Sequence, residues 1–305
     1  MTGRGWIPLA TGRKRANNPQ MTRPHPIHRD DRLATGVPVV AERRGARAGA
    51  PLAAPVVHTY AALALYTDGP ARMEQRGEWR LSAGDVLIVP AGQAHRRLDA
   101  QHPAYWGLSF CAPSFAADGA ATLLEPFERV RDGGAAVVHI PGERQQFLLQ
   151  LFQELESITA RARPGDAQEA ARRSLLTLIL NEVDHAAGQL EARPAPGKSV
   201  VVDSLRFIER NCLRRLTLGD VAAAVQRSPS YVTSALTQAT GRSAVEWIIS
   251  GRMAEARRLL VASDELVEVI AERVGYADAT HFIRLFRRQH GATPSAFRAQ
   301  QLTRR

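Results

Sequence analysis

The strongest constraint on this chain lies in its last quarter, where a helical pattern is interrupted and recapped at regular intervals. Thr217 with Asp220 has the form of a capping box, and Ser228 before Pro229 supplies a cap and a first-turn proline. Ser243 with Glu246 repeats the box, Asp278 precedes a further apolar period, and Thr293 before Pro294 opens a last helix. Such punctuation predicts short helices joined by tight turns, with Ala244–Ala262 as one longer helix. Two helix-turn-helix patterns result, one from Thr217 to Val232 and one from Val269 to Arg288. The joining helix would span about 28 Å at a rise of about 1.5 Å per residue. That suits entry into successive major grooves about 34 Å apart.

The residues inside each pattern fit the same geometry. Ala222 and Ala271 stand where two helices of a tight turn nearly touch, and Gly275 supplies a positive φ; Gln226 holds the matching place in the first pattern. Val232 and Leu236 are expected to anchor the first recognition helix, and Phe282 and Phe286 the second, one residue later in register. Anchoring one face leaves the other for DNA: Ser230, Thr233, Ser234 and Thr237 in the first helix, and Ala279, Thr280, Ile283, Arg284 and Arg287 in the second. Arg284 has the reach for a bidentate contact to guanine, and Arg287 or Arg288 for phosphate. The first helix lacks long donors and is expected to give phosphate and shape contacts, so base readout leans on residues 278–288.

Charge is uneven along the chain. Residues 195–305 hold 17 Lys and Arg against 10 Asp and Glu, residues 1–32 hold 7 against 2, and the stretch between holds 16 against 18. A basic C-terminal part beside a near-neutral middle implies a polyanionic partner for one domain only. Cys111 and Cys212 fall in different expected domains, which argues against a disulfide framework and fits a reducing cytoplasm. No run of about 18 apolar residues is present, and residues 1–32 lack the apolar stretch of a signal peptide. They read as a disordered basic tail, with Met21 as an alternative start.

At 305 residues the chain suits two domains. Residues 37–140 look β-rich, with strand-like runs at Val37–Val40, His58–Tyr66, Gly77–Leu81, Asp85–Val89 and Tyr105–Phe110 between Gly, Pro and Asp turns. From about Glu143 the period turns helical: Phe147, Leu148, Leu151, Phe152, Leu155 and Ile158, then Leu175, Leu176, Ile179, Leu180 and Val183, predict an antiparallel pair. The expected plan is a tail over 1–35, a ligand-sensing and dimerisation domain over 36–190, a linker over 191–198, and an all-α domain over 199–305.

Leu216 to Arg298 resembles the DNA-binding domain of the AraC/XylS family of regulators. The stretches that carry the resemblance are Ala254-Glu255-Ala256-Arg257-Arg258-Leu259-Leu260, Ile270-Ala271-Glu272-Arg273-Val274-Gly275-Tyr276, Phe282-Ile283-Arg284-Leu285-Phe286-Arg287-Arg288 and Gly291-Ala292-Thr293-Pro294-Ser295-Ala296-Phe297-Arg298. It implies sequence-specific binding near promoters, usually as an activator that contacts RNA polymerase. The chain departs from the pattern at Gln226, at Thr237-Gln238, where a Lys pair is common, and at Glu265, where a Ser cap is common.

Gly84-Asp85 through Pro90 to His95 resembles a motif of cupin barrels, and in this family such a barrel precedes the DNA-binding domain and senses a small molecule. The fold expected is thus α+β in two domains: a cupin-like barrel with a helical pair, then two helix-turn-helix motifs joined by a long helix. Tyr66, His95, Arg97, Tyr105 and Trp106 are the candidate ligand contacts. The rival is a metal-dependent cupin enzyme with a degenerate helical tail. Such enzymes add a His-x-His pair on an earlier strand to the later His, and residues 58–94 contain none. No metal, cofactor or catalytic residue is therefore expected. The partners expected are double-stranded DNA, RNA polymerase, a small-molecule effector and a second copy of the chain, in the cytoplasm and with no membrane.

Overall fold

The computed structural model describes residues 27–28, 33, 39–48, 54–116, 121–160, 168–188 and 199–303. The linker expected over 191–198, and nearly all of the expected tail, lie outside these residues. The expectation of an α+β chain in two domains stands: an N-terminal part built on sheets is followed by a C-terminal part made of helices.

Five strands form the main sheet: β2 (Val39–Arg44), β5 (Ala61–Tyr66), β8 (Asp85–Val89), β11 (Tyr105–Phe110) and β12 (Val137–His139), in the order β12-β8-β5-β11-β2. Every neighbouring pair is antiparallel. A second sheet has β6 (Ala71–Glu74) between β7 (Glu78–Leu81) and β9 (Arg96–Arg97). Two short pairs remain: β1 (Ile27–His28) with β4 (Val57–His58), and β3 (Arg47–Ala48) with β10 (Gln101–His102). Alternation along β11 buries Trp106, Leu108 and Phe110 on one face and leaves Tyr105, Gly107 and Ser109 half-buried on the other.

Here the structure corrects the closed barrel. Among the described residues no ladder joins the sheets into one closed ring. Instead, a helix covers the free edge of β2. The Thr159 hydroxyl donates to the Ala41 carbonyl at 3.4 Å, and the Arg43 N–H donates to Glu156 at 2.8 Å. A covered edge needs no further strand.

A second correction concerns residues 112–115 and 121–131, which are helical rather than part of the β-rich stretch. They form α1 (Ala112–Phe115), a 3-10 turn (Ala121–Leu124) and α2 (Glu125–Arg131). Pro113 and Pro126 sit in first turns, where a missing N–H costs nothing. Glu125 and Glu128 near the start of α2, with Arg129 and Arg131 near its end, also suit the helix dipole.

The expected helical pair is α3 (Gly142–Ala160) and α4 (Glu169–Gly188). Leu148, Leu151, Phe152 and Leu155 of α3 join Leu176, Ile179, Leu180 and Val183 of α4 in the core beneath the main sheet. Phe147, Ile158 and Leu175 are only partly buried, so the apolar stripe is wider than the contact it makes.

The C-terminal helices are α5 (Val200–Asn211), α6 (Leu218–Ala224), α7 (Pro229–Thr240), α8 (Ala244–Ala262), α9 (Val267–Arg273), α10 (Ala279–His290) and α11 (Pro294–Thr303). The caps fall where the sequence places them. Thr217–Asp220 and Ser243–Glu246 are complete capping boxes, Ser228 accepts from the Tyr231 N–H, and Asp278 accepts from the N–H groups of Thr280 and His281. Helix α9 begins without a side-chain cap, because Leu266 stands at its N-cap.

Two small cores share α8. Ala244, Trp247 and Ile248 near its start pack with Val221, Ala222, Val232 and Leu236, while Met253, Ala256, Leu259 and Leu260 pack with Ile270, Ala271, Phe282 and Phe286. Between them Arg252 is buried. Its guanidinium donates to the carbonyls of Cys212 and Arg214, each at 2.7 Å, and lies 4.8 Å from the Tyr276 ring centre. One side chain thus ties the end of α5 to the turn after α9.

Helix α5 is bedded on the N-terminal part. Arg206 pairs with Glu128 and Asp132, and buried Arg131 pairs with Glu128 and Glu209. Val57 shares an apolar cluster with Leu205 and Ile208. Gly92 turns with φ +79°, and a Cβ there would come within 2.5 Å of a Leu205 methyl. The Pro90–His95 turn is therefore also a seat for the first helix of the second domain.

Candidate nucleic-acid interface

Helices α7 and α10 are each fixed by two apolar residues on the inner face. Val232 and Leu236, and Phe282 and Phe286, are fully buried. The anchors fall at the fourth and eighth residues of both helices, so the two are in the same register and not offset by one. The rings of Phe282 and Phe286 lie 5.7 Å apart, and Phe297 of α11 closes on Phe286 at 5.4 Å. Both helices end on a glycine with left-handed backbone, Gly241 and Gly291.

The outer faces are as open as the anchoring requires. Ser230, Ser234 and Thr237 of α7 are exposed and Thr233 is half-buried; on α10 Thr280, Arg284, Arg287 and Arg288 are exposed, while Ala279 and Ile283 pack partly against the core. Arg284 is two residues beyond Phe282, about 200° round the helix, and so points directly away from the core. Arg288 has a second neighbourhood: with Gln289 and His290 it lines a cavity at the boundary between the two domains.

The sequence reading passed over Tyr231. It is 53% exposed on the first turn of α7, beside Ser230. An aromatic at helical spacing reads as core, but Val232 already fills the core position, and one residue's turn of about 100° carries Tyr231 outward. Counting from the Ser228 cap would have found it.

Electrostatics at these starts follow the caps. Hydrogen bonds from the Thr217 hydroxyl and N–H hold the Asp220 carboxyl below its ordinary range. The N–H of Thr280 does the same for Asp278, and the N–H of Ser243 for Glu246. Each carboxylate sits at the positive end of a helix.

The candidate ligand contacts in the N-terminal part divide into separate groups. Tyr66 and Tyr105 pair across β5 and β11 with ring centres 5.5 Å apart, and His102 stacks on Tyr66 at 5.8 Å. Arg97 is buried close enough to act electrostatically on the Tyr66 hydroxyl, whose pKa is pushed up by burial. Trp106 follows Tyr105 on one strand and faces the other side of the sheet. His95 stands apart, edge-on to His58 at 5.0 Å, with its Nδ1 3.1 Å from the Gln93 carbonyl. The structure brings Tyr66, Arg97 and Tyr105 together and leaves Trp106 and His95 elsewhere. Burial also pushes the Cys111 and Cys212 thiols up, so both are protonated and unreactive near neutral pH. Among the described residues no helix is long and apolar enough to cross a membrane, and no group of three or more His, Cys, Asp or Glu is placed to hold a metal ion.

Comparison with known proteins decides what kind of helical domain this is. A family described as "Helix-turn-helix domain" matches residues 221–300. The regulatory protein PocR of Salmonella typhimurium is 32% identical over 120 residues, covering 39% of this chain and 40% of PocR. YisR of Bacillus subtilis, a regulator of the helix-turn-helix type, is 26% identical over 156 residues, 51% of this chain and 52% of its own.

Residues 221–300 thus carry a helix-turn-helix domain of the AraC/XylS type.

The AraC/XylS match spans about half or less of the length of those two relatives. Among solved structures, the C-terminal domain of AraT from Geobacillus stearothermophilus is 29% identical and covers 34% of this chain and 86% of that one, with a TM-score of 0.33. In AraC/XylS terms, Gln226 is the departure whose outcome is plainest: it adopts φ +54°, the left-handed backbone that Gly275 adopts in the second turn.

Proposed function

We propose that this chain is a sequence-specific DNA-binding transcription regulator, activated or released at promoters by a small molecule. The observation that carries the reading is the family match over residues 221–300 on a domain whose α7 and α10 each bury one face and open a polar face. In this reading α6–α7 and α9–α10 are two helix-turn-helix units joined by α8. The units enter neighbouring major grooves of double-stranded DNA. Arg284 reads a base edge, Thr280, Arg287 and Arg288 meet phosphate, and Ser230, Thr233, Ser234 and Thr237 position the first unit. Ala279 and Ile283 lie against the groove wall.

The domain plan proposed is a basic tail over 1–35, a cupin-like sensing and dimerising domain over 36–190, a linker over 191–198 and the DNA-binding domain over 199–305. The dimer contact proposed is the helical pair, on which Leu178 of α4 is 45% exposed among the described residues. Tyr66, Arg97 and Tyr105, with His95 and Trp106 as outlying members, are the proposed sensor contacts in the N-terminal domain. RNA polymerase is the proposed partner at the promoter, and the protein acts by binding rather than by catalysis in the cytoplasm. The effector acts by population shift: it binds one arrangement of the two domains better, and that arrangement fits the promoter.

The test is a genome-wide binding map followed by footprinting on the sites found. A short recurrent motif, protected over two adjacent major grooves, is expected. Uniform low occupancy with no motif would refute sequence-specific regulation.

A further inference from the structure

The two apolar cores on α8 share no buried residue: along that helix the last buried member of the first is Ile248, and the first of the second is Met253. One helix between two separate cores leaves the angle between α7 and α10 to whatever else crosses the gap. Arg252 crosses it. Its side chain is buried near the middle of α8. On one side its Nε donates to the Cys212 carbonyl and its Nη2 to the Arg214 carbonyl, with the Leu216 carbonyl 3.4 Å from the same Nη2. Cys212 is the C-cap of α5, so the cation meets the negative end of that helix. Leu216 stands just before Thr217, the cap of α6.

On the other side the guanidinium lies against the Tyr276 ring, whose centre is 5.4 Å from that of Phe282, an anchor of α10. The fit is close on both flanks. A Cβ at Gly275 would lie 2.5 Å from the Arg214 carbonyl oxygen and 3.1 Å from Arg252 Nη2, and one at Gly251 would lie 2.7 Å from Cys212 Sγ. The turn after α9 therefore stands directly against the segment that leads into α6. A planar, forked guanidinium serves two carbonyls and a ring face at once, which the single ammonium of a lysine does not.

We propose that Arg252 is the positioning residue that sets the angle between the two helix-turn-helix units, and so the spacing of the two DNA segments they contact. It is buried and acts without touching DNA. Through Tyr276 and Phe282 it holds α10, and through residues 212–216 it holds α6 and α7. A twist or bend of α8 pulls Arg214 away from Gly275 and opens the fork. Successive major grooves present themselves on one side of the duplex only at a fixed separation, so an error in the angle forfeits the contacts of one unit. The spacing consequence rests on the regulator reading; the fixed angle does not, and it is measured without DNA.

The experiment uses the full chain with spin labels at Ala224→Cys and Glu272→Cys, an exposed position in each unit. The native thiols are protonated near neutral pH and take no label. Dipolar distance measurements are expected to give one narrow distribution in the labelled parent and a broader one in Arg252→Gln. Arg252→Lys keeps the charge and loses the fork; it should also broaden the distribution, and it carries the test should Arg252→Gln unfold early on heating. Each protein is then titrated with the sites recovered for the parent, and with duplexes in which base pairs are inserted between the two protected segments. The parent should lose about tenfold or more in affinity on insertion, equivalent to about 1.4 kcal/mol. The variants should bind the natural spacing more weakly and lose little further on insertion, a flattened profile that a loss of stability alone does not produce. The proposal is overturned if both variants give the parent's distance distribution, or if their spacing profiles run parallel to the parent's. Broadened distributions in the variants of a parent that prefers no DNA sequence would instead refute the regulator reading alone.

Discussion

Gln226 and Gly275 occupy the same place in the two helical turns, and both have positive φ, at 54° and 88°. The glycine has a further reason: a Cβ there would lie 2.5 Å from the Arg214 carbonyl oxygen. The glutamine carries the strain of a left-handed backbone without glycine's freedom. Gln226→Gly is expected to stabilise the protein by about 1 kcal/mol, and Gly275→Ala to destabilise it by more than that, because backbone strain and a close contact add. Chemical denaturation midpoints of the two variants check both signs.

Arg284 is expected to matter for sequence and Tyr231 for affinity. Arg284→Ala should cost about 1–3 kcal/mol on a specific site and far less on random DNA. Tyr231→Ala, which alters an exposed side chain on the first turn of α7, should lower binding without changing stability. Competition binding with specific and random duplexes separates the two, and equal losses on both duplexes would rule out base readout by Arg284.

Acid should loosen the capped helices. The Asp220, Asp278 and Glu246 carboxyls titrate below their ordinary values in the folded chain because N–H and O–H groups bond their charged forms. In the unfolded chain they titrate near 3.9 to 4.3, values typical of free Asp and Glu. Their stabilisation is therefore fully present above about pH 4.3 and is lost as pH falls through the lower folded values. His290 works in the same direction over a higher window. Its folded value of about 4 lies below the free value, so stability declines as pH drops from about 6.5 toward 4. Unfolding midpoints should fall between pH 6.5 and 4 in the parent and less in His290→Gln.

The seat of α5 should be sensitive to Glu209. Arg131 is buried and shares its guanidinium between Glu128 and Glu209. Glu209→Ala removes one charged hydrogen bond and should cost about 1.5–3 kcal/mol. Hydrogen exchange should then rise across residues 200–211 ahead of the strands of the main sheet.

The sequence by itself determined the C-terminal helices, because their signals are local. A cap, a first-turn proline and a residue four places on are all within one turn of each other, so Ser228, Val232 and Leu236 fix α7 whatever surrounds it. Four of the five strands of the main sheet overlap runs legible in the sequence, β12 being too short to show, and the helical pair was legible from its period. Tertiary structure decided the remainder. The barrel gave way to open sheets because Thr159 and Glu156 of α3, more than a hundred residues away, cover the edge of β2. Trp106 stands apart from Tyr66 and Tyr105 because successive residues of one strand face opposite sides of the sheet. Arg257 looks like any arginine of an amphipathic helix until α8 is packed against the N-terminal domain. Its buried Nε and its bond to the Leu33 carbonyl are properties of the assembled boundary, and no window of sequence around residue 257 contains them.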